Sequence, residues 1–212
     1  MSGAAILQRY QFWPIELAPE STGPSATALA TVESVAQTIS PADVAASTTA
    51  TLALRAANVE FVTHEFEPVA IERGYGKLAA NMLRVDPERV FKTLLATVEG
   101  HPTASIVVGV VPVSGLLSLK ELARAVGAKR ATMCSPAAAE RATGFVVGGI
   151  SPFGQRKKLI TVIDETCELF DTIFVSGGKR GLDIEIDPAA LLRVLNAIVA
   201  PIGSERPDVV AR

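Results

Sequence analysis

The sequence predicts an α/β domain built on a largely antiparallel, mixed sheet, and three observations carry that expectation. Apolar, β-branched runs such as "VFKTLLATV" (90–98) and "ASIVVGVVPV" (104–113) are bounded by turn residues, as strands are. Segments with helix start and stop signals lie among them. The two kinds of segment do not alternate strictly, as an all-parallel βαβ sheet would require.

Residues 1–48 stand apart. "APESTGPSATALATVESVAQTISPADVAAST" is rich in Ala, Ser, Thr and Pro and nearly devoid of aromatics. Such a segment buries too little apolar surface to offset its ordering entropy, so it is expected to be disordered or weakly structured, with a short helix near 29–38. It carries Arg9 against Glu16, Glu20, Glu33 and Asp43, the reverse of a mitochondrial presequence. It reads either as a tail or as a start assigned too far upstream. The folded unit is expected over 49–203, with 204–212 as a C-terminal tail.

Within that unit, "TLALRAANV" (51–59) reads as a helix ending near Asn58, and "EFVTHEFEP" (60–68) as a strand closed by Pro68. A helical stretch "YGKLAANML" and a turn at Asp86-Pro87 follow, and then two strands joined around Gly100 and Pro102. "SLKELARAVG" (118–127) is the clearest helix: Ser118 and Glu121 form an S-x-x-E capping box that satisfies amides at the helix start, and Gly127 sits where a left-handed residue belongs. Another helix opens at Ser135-Pro136. The strands "LITVIDETC", "TIFVSGG" and "LDIEI" come next, and Asp187-Pro188 caps a last helix, "ALLRVLNAIV" (190–199).

Composition narrows the function. Nearly half the residues are hydrophobic, enough for an ordinary core, and 212 residues suit one domain plus an appendage, or at most two small domains. Cys134 and Cys167 lack any C-x-x-C spacing, which fits free thiols in a reducing cytoplasm. The longest apolar run (104–117) is too short and too broken to span a bilayer, and no secretory signal opens the chain, so a soluble cytoplasmic protein is expected. A net charge of −2 excludes a strongly basic, non-specific nucleic-acid binder but leaves an RNA partner open.

Few residues could carry chemistry. His64 and His101 have no metal-ligand partner at i+4, and a structural or solvent role suits both. No G-x-S-x-G elbow supports a serine nucleophile. "GGISP" (148–152) and "SGGKRG" (176–181) each read as a tight turn or as a loop whose amides bind an anion or carbonyl. The second matches neither a Walker A loop nor a dinucleotide fingerprint. Arg156, Lys157 and Lys158 follow the first loop, and Lys179 and Arg180 lie in the second; they read as a solvated face or as phosphate contacts. Lys92, inside an otherwise apolar strand, either snorkels to solvent or is a partly desolvated ammonium that polarises a carbonyl or holds a phosphate.

Taken in order, "VFKTLL", "VVPVSG…LSLKELARAVGAKR", "ATGFVVGGISPFGQRKKL", "TVIDE" and "FDTIFVSGGKRGLDIEI" resemble the YbaK/EbsC family of Cys-tRNA(Pro) deacylases, relatives of the editing domain inserted in bacterial prolyl-tRNA synthetase. The resemblance covers roughly residues 50–203. It implies a compact domain with a curved, barrel-like mixed sheet flanked by helices. It places the family's essential lysine on Lys92 and its substrate loop on Gly148, Gly149, Ile150, Ser151 and Pro152. The second loop, Ser176, Gly177 and Gly178, is implied near the same pocket, with Arg156, Lys157, Lys158, Lys179 and Arg180 toward tRNA. It further implies an enzyme without metal or cofactor that acts on aminoacyl-tRNA, tRNA(Pro) above all, with prolyl-tRNA synthetase as partner and neither membrane nor DNA. The family's reaction is attack of the substrate thiol on its own ester; related domains activate water instead. A non-catalytic tRNA- or synthetase-binding protein and a deacylase for another mischarged tRNA, such as Ala-tRNA, are the alternatives. "MCSP" (133–136) and Ile160 depart from the family pattern and bear on the substrate amino acid more than on the reaction class.

Overall fold

The computed structural model describes residues 47–67 and 75–204. The expected disorder of 1–48, the helix near 29–38, Pro68 and the tail after Ser204 fall outside these residues or at their margin. Chain contacts separate a unit of residues 1–38 from one of residues 39–212, and the described residues all belong to the second.

The first helix, α1 (Thr49–Ala56), is opened by a reciprocal capping box between Thr48 and Thr51. Asn58 just beyond it is left-handed at φ 51°. After β1 (Val62–Glu65) and α2 (Tyr75–Leu83), the hairpin β2 (Val90–Glu99) and β3 (Ile106–Pro112) forms as expected. The short β4 (Leu116–Leu117) leads into α3 (Leu119–Ala125), β5 (Arg130–Met133) and α4 (Pro136–Thr143). Gly127 and Gly144, after the two helices, have φ of 70° and 83°, the left-handed backbone that favours glycine.

Only half of the capping box at α3 forms. Ser118 accepts from the Glu121 amide at 3.3 Å, but the Ser118 N–H donates to the Ile202 carbonyl at 2.7 Å. Glu121 turns instead to Arg124 at 3.4 Å. A tertiary partner has displaced the local one.

The C-terminal half differs from expectation at two junctions. The strand read through "LITVIDETC" stops after β6 (Ile160–Asp164), because Asp164 accepts from the Thr166 amide and hydroxyl and starts a 3-10 turn over Glu165–Leu169. β7 (Ile173–Lys179) and β8 (Leu182–Ile186) then form a bulged hairpin. The last helix, α5 (Pro188–Leu195), ends earlier than read, since Asn196 is left-handed at φ 48°. The residues after it become β9 (Ile198–Ala200), parallel to β6, and β10 (Gly203–Ser204) pairs with β4.

The main sheet runs β1-β8-β7-β2-β3-β6-β9 and mixes antiparallel with parallel pairs. Strand β2 is central. β3 lies along one of its edges, and two strands share the other: β7 at Val90 and Phe91, β5 from Ala96 to Glu99. The sheet therefore forks beside residues 92–95. One face carries the main core, where Phe91, Leu95, Val108, Ile163, Val175 and Ile184 pack with Ala50, Leu54, Ala139 and Leu191 of α1, α4 and α5. The opposite face carries two smaller clusters. Ala80 of α2 covers Val90, Val113 and Phe174, while Leu122 and Ala123 of α3 cover Ala96, Val98 and Val111.

Candidate functional site

Lys92 stands between those two smaller clusters. Side chains alternate along a strand, so Lys92 shares the face of Val90 and Leu94 and points away from the main core. β2 is not an edge strand, which removes the most ordinary reason for a lysine in a sheet. Lys92 is half-buried, and its Nζ donates to the Gly115 carbonyl at 2.5 Å. That carbonyl is presented by the turn after β3, where the Gly115 amide donates to Pro112. A side chain at Gly115 would come within 3.0 Å of the Ser204 carbonyl, a tight contact that glycine avoids.

Strand register extends the site across the sheet. β7 pairs with β2 at Phe91↔Val175, and one step further Ser176 stands beside Lys92. Ser176 is opposite Asp183, and Asp183 is opposite His64. Lys92, Ser176, Asp183 and His64 thus form a row on one face, with neighbouring strands about 4.8 Å apart. The row puts Asp183 about 10 Å from Lys92 at the backbone.

Asp183 is the residue that the sequence reading missed. It is 6% exposed, and its Oδ2 has no hydrogen-bond partner among the described residues. Burial pushes its carboxyl from an ordinary value of 3.8 up to about 7. A buried, unpartnered carboxyl is costly, and such groups concentrate at functional sites. The signal was present in "LDIEI", where an aspartate breaks an apolar strand, but its meaning depends on which strands flank it.

His64 at the end of the row is engaged by protein. Its Nε2 lies 2.9 Å from Glu185 Oε2, and its ring meets Phe174 at 5.3 Å. Glu185 also accepts from the Thr172 hydroxyl at 2.6 Å, the main reason its carboxyl is held below the usual range, with His64 and Arg89 adding to it. The Nδ1 of His101 accepts from the Thr103 and Ala104 amides and caps a turn. Both histidines are thus engaged by protein groups.

The glycine loops meet each other. A side chain at Gly149 would lie 2.9 Å from the Lys179 carbonyl carbon and 3.0 Å from the Arg180 amide, so the first loop packs directly on the tip of the β7–β8 hairpin. Arg180 donates from Nε and Nη2 to the Val147 carbonyl at 3.1 and 2.8 Å and closes the contact. Gly149, Ile150, Ser151 and Pro152 are buried, with Ile150 in the main core; Gly148 is half-buried. Within the β7 bulge, the Gly177 carbonyl accepts from the Thr48 hydroxyl at 2.5 Å, and Gly178, at φ 97°, leaves room for Phe145. These glycines serve close packing. Ser176 alone of its loop lies in the row with Lys92.

The basic residues divide. Arg156, Lys157 and Lys158 are exposed beside the first loop. Lys179 pairs with Glu65 at 3.1 Å, and Arg180 is occupied as described. Among the described residues no group of three His, Cys, Asp or Glu side chains could hold a metal, and no helix is long and apolar enough to cross a membrane. Cys134 and Cys167 are free thiols.

Residues 77–194, which include Lys92, both loops and Asp183, match the family described as the aminoacyl-tRNA editing domain. A protein of Enterococcus faecalis named as a Cys-tRNA(Pro)/Cys-tRNA(Cys) deacylase, EbsC, is 39% identical over 123 residues, or 58% of this chain and 73% of that one. A protein of Escherichia coli K12 named multifunctional Ser/Thr-tRNA deacylase ProXp-y is 32% identical over 104 residues, spanning 49% of this chain and 62% of that one. A crystal structure described as a trans-editing enzyme for prolyl-tRNA synthetase superposes with a TM-score of 0.61 at 22% identity, covering 74% of this chain and 98% of the other. At that identity the likeness speaks for the fold alone.

Proposed function

Because the chain belongs to the aminoacyl-tRNA editing domain family, we propose that it is a trans-acting deacylase that clears cysteine from mischarged tRNA(Pro), and also from tRNA(Cys). The observation that carries this reading is the row Lys92–Ser176–Asp183, which pairs an ammonium held on the Gly115 carbonyl with a buried, unpartnered carboxyl across a gap of one strand.

The chemistry follows from those two groups. The substrate thiol gives up its proton, its sulfur bonds to the ester carbonyl carbon, and the bond to the 3′ oxygen of the terminal adenosine breaks. A cyclic thioester and free tRNA leave, and the proton ends on the departing oxygen. Negative charge develops on the carbonyl oxygen and then on the 3′ oxygen, where Lys92 stabilises it. Asp183, with its carboxyl near neutrality, is the group suited to take and return the proton. Size alone cannot separate cysteine from proline in a synthetase pocket, the situation in which a second sieve is needed. Selectivity for tRNA(Pro) comes, in this reading, from association with prolyl-tRNA synthetase.

Lys92→Ala is expected to lower the rate of Cys-tRNA(Pro) deacylation on the order of 10²- to 10³-fold, the scale of losing one charge-stabilising donor. Wild-type rates in that variant would refute the role of Lys92. The relative named for Ser/Thr-tRNA supports a second reading, hydrolysis of seryl or threonyl esters by an activated water. A panel of Cys-, Ser-, Thr- and Ala-tRNA offered to the purified protein separates the two.

A further inference from the structure

We propose that the groove between α3 and β5 is a second RNA contact, holding phosphates of the substrate tRNA several nucleotides from the ester. The proposal rests on the deacylase reading and adds to it a surface that neither glycine loop supplies.

The groove encloses about 510 Å³, and its charged lining is all of one sign: Lys120, Arg124, Lys129 and Arg130. All four are exposed. Lys120 and Arg124 are one helical turn apart and share a face of α3. Arg130 opens β5 and Lys129 precedes it, and the Lys129 stem lies over Gly100, where a Cβ would come within 2.6 Å of it. Ala123, Ala128 and Ala131 line the groove with small side chains and keep it open. Two carboxylates stand nearby. Glu121 meets Arg124 at 3.4 Å, an exposed pair of little strength, and Glu99 is opposite Arg130 in the ladder. Among the described residues Lys120, Lys129 and Arg130 have no carboxylate within ion-pair distance. In a chain of net charge −2, four cations against two acids is a local concentration of positive charge.

Position links the groove to the reacting site. α3 covers Ala96, Val98 and Val111, on the face of the sheet that carries Lys92, and β5 pairs with the far end of β2. From Lys92 to Glu99 is about 23 Å at about 3.3 Å per residue. A stacked B-form strand rises about 3.4 Å per nucleotide and an A-form RNA strand less, so a substrate whose 3′ end lies at Lys92 has phosphates within reach of the groove about seven or more nucleotides upstream. An open, flexible set of cations suits a phosphate backbone, which needs charge and no sequence readout.

The test compares the wild type with Lys120→Gln/Arg130→Gln and with the charge-preserving Lys120→Arg/Arg130→Lys. Uncharged tRNA is titrated over a range of salt concentrations, and deacylation is measured on full-length Cys-tRNA and on a cysteinyl trinucleotide carrying only the 3′ end. Loss of two phosphate contacts should weaken tRNA binding roughly tenfold or more and lower the salt slope by about 1.5. KM for full-length substrate should rise with kcat unchanged, cleavage of the trinucleotide should not change, and the charge-preserving variant should behave as wild type. An unchanged tRNA affinity and salt slope in the neutralised variant overturns the proposal, as does an equal loss on the trinucleotide. If wild type binds tRNA through the groove but cleaves neither substrate, the deacylase reading fails and the groove assignment stands.

Discussion

Replacing Asp183 by asparagine isolates the cost of a buried carboxyl. Asp183 binds its proton more tightly in the folded protein than in the unfolded chain, with its carboxyl raised from 3.8 to about 7. Between those values the native state holds more protons than the unfolded state, so stability falls as pH rises; above about 7 both states are ionised and the loss is complete. At about 1.4 kcal/mol per tenfold change in proton affinity, the full loss is about 4 kcal/mol. Asparagine keeps the shape and cannot ionise. Urea denaturation at a series of pH values from 4.5 to 8.5 should therefore show Asp183→Asn gaining on the wild type as pH rises. By pH 8 the gain is on the order of 1–3 M in midpoint, given slopes of about 1–3 kcal/mol per M. The offset at low pH absorbs whatever the amide itself costs, so the diagnostic quantity is the divergence. Parallel stability curves would show that the carboxyl is solvated or paired. A variant that falls behind with rising pH would mean that the protein stabilises the carboxylate, and either result removes Asp183 as a proton acceptor near neutrality.

Three further outcomes follow from the packing. Gly149→Ala forces a methyl against the Lys179 and Arg180 backbone, which has no flexible end to move aside, and should cost about 1–3 kcal/mol in urea denaturation. Ser118→Ala should cost about 1 kcal/mol through the lost helix cap, whereas Glu121→Ala should be near neutral, because Glu121 does not close the capping box. Cys167 is fully buried, and burial followed by Glu168 and Asp164 pushes its thiol up to about 12; a thiol reagent should modify the half-exposed Cys134 in the native protein and reach Cys167 only on unfolding.

The sequence was most legible where local rules and tertiary contacts agree. Ser118, Gly127, Ser135-Pro136 and Asp187-Pro188 mark helix ends that the structure places there. It was misread where one residue changes the course of an apolar run: Asn196 stops α5 and frees Ile198–Ala200 to pair with β6, and Asp164 ends β6 by capping a turn. Lys92 stood out because a charge interrupts a strand and because the surrounding motifs follow in order. Asp183 did not, since its partners in the row come from β1, β7 and β2, as much as 119 residues away in sequence, and register is a tertiary property. The glycine loops were legible as loops, but their burial against the hairpin tip was not, because close packing and amide presentation both call for glycine.

The fork beside residues 92–95 separates two tasks mechanically. Lys92 is braced from the β3 side, by its ladder partner Val111 and by the Gly115 carbonyl. The two tines of the fork belong to other segments, β5 leading into α4 and β7 leading to the glycine hairpin. Insertions or substitutions in either tine can therefore shift that segment while the ammonium stays anchored on the β3 side. A scaffold of this kind lets its flanking segments diverge in sequence with the position of the Lys92 charge left in place.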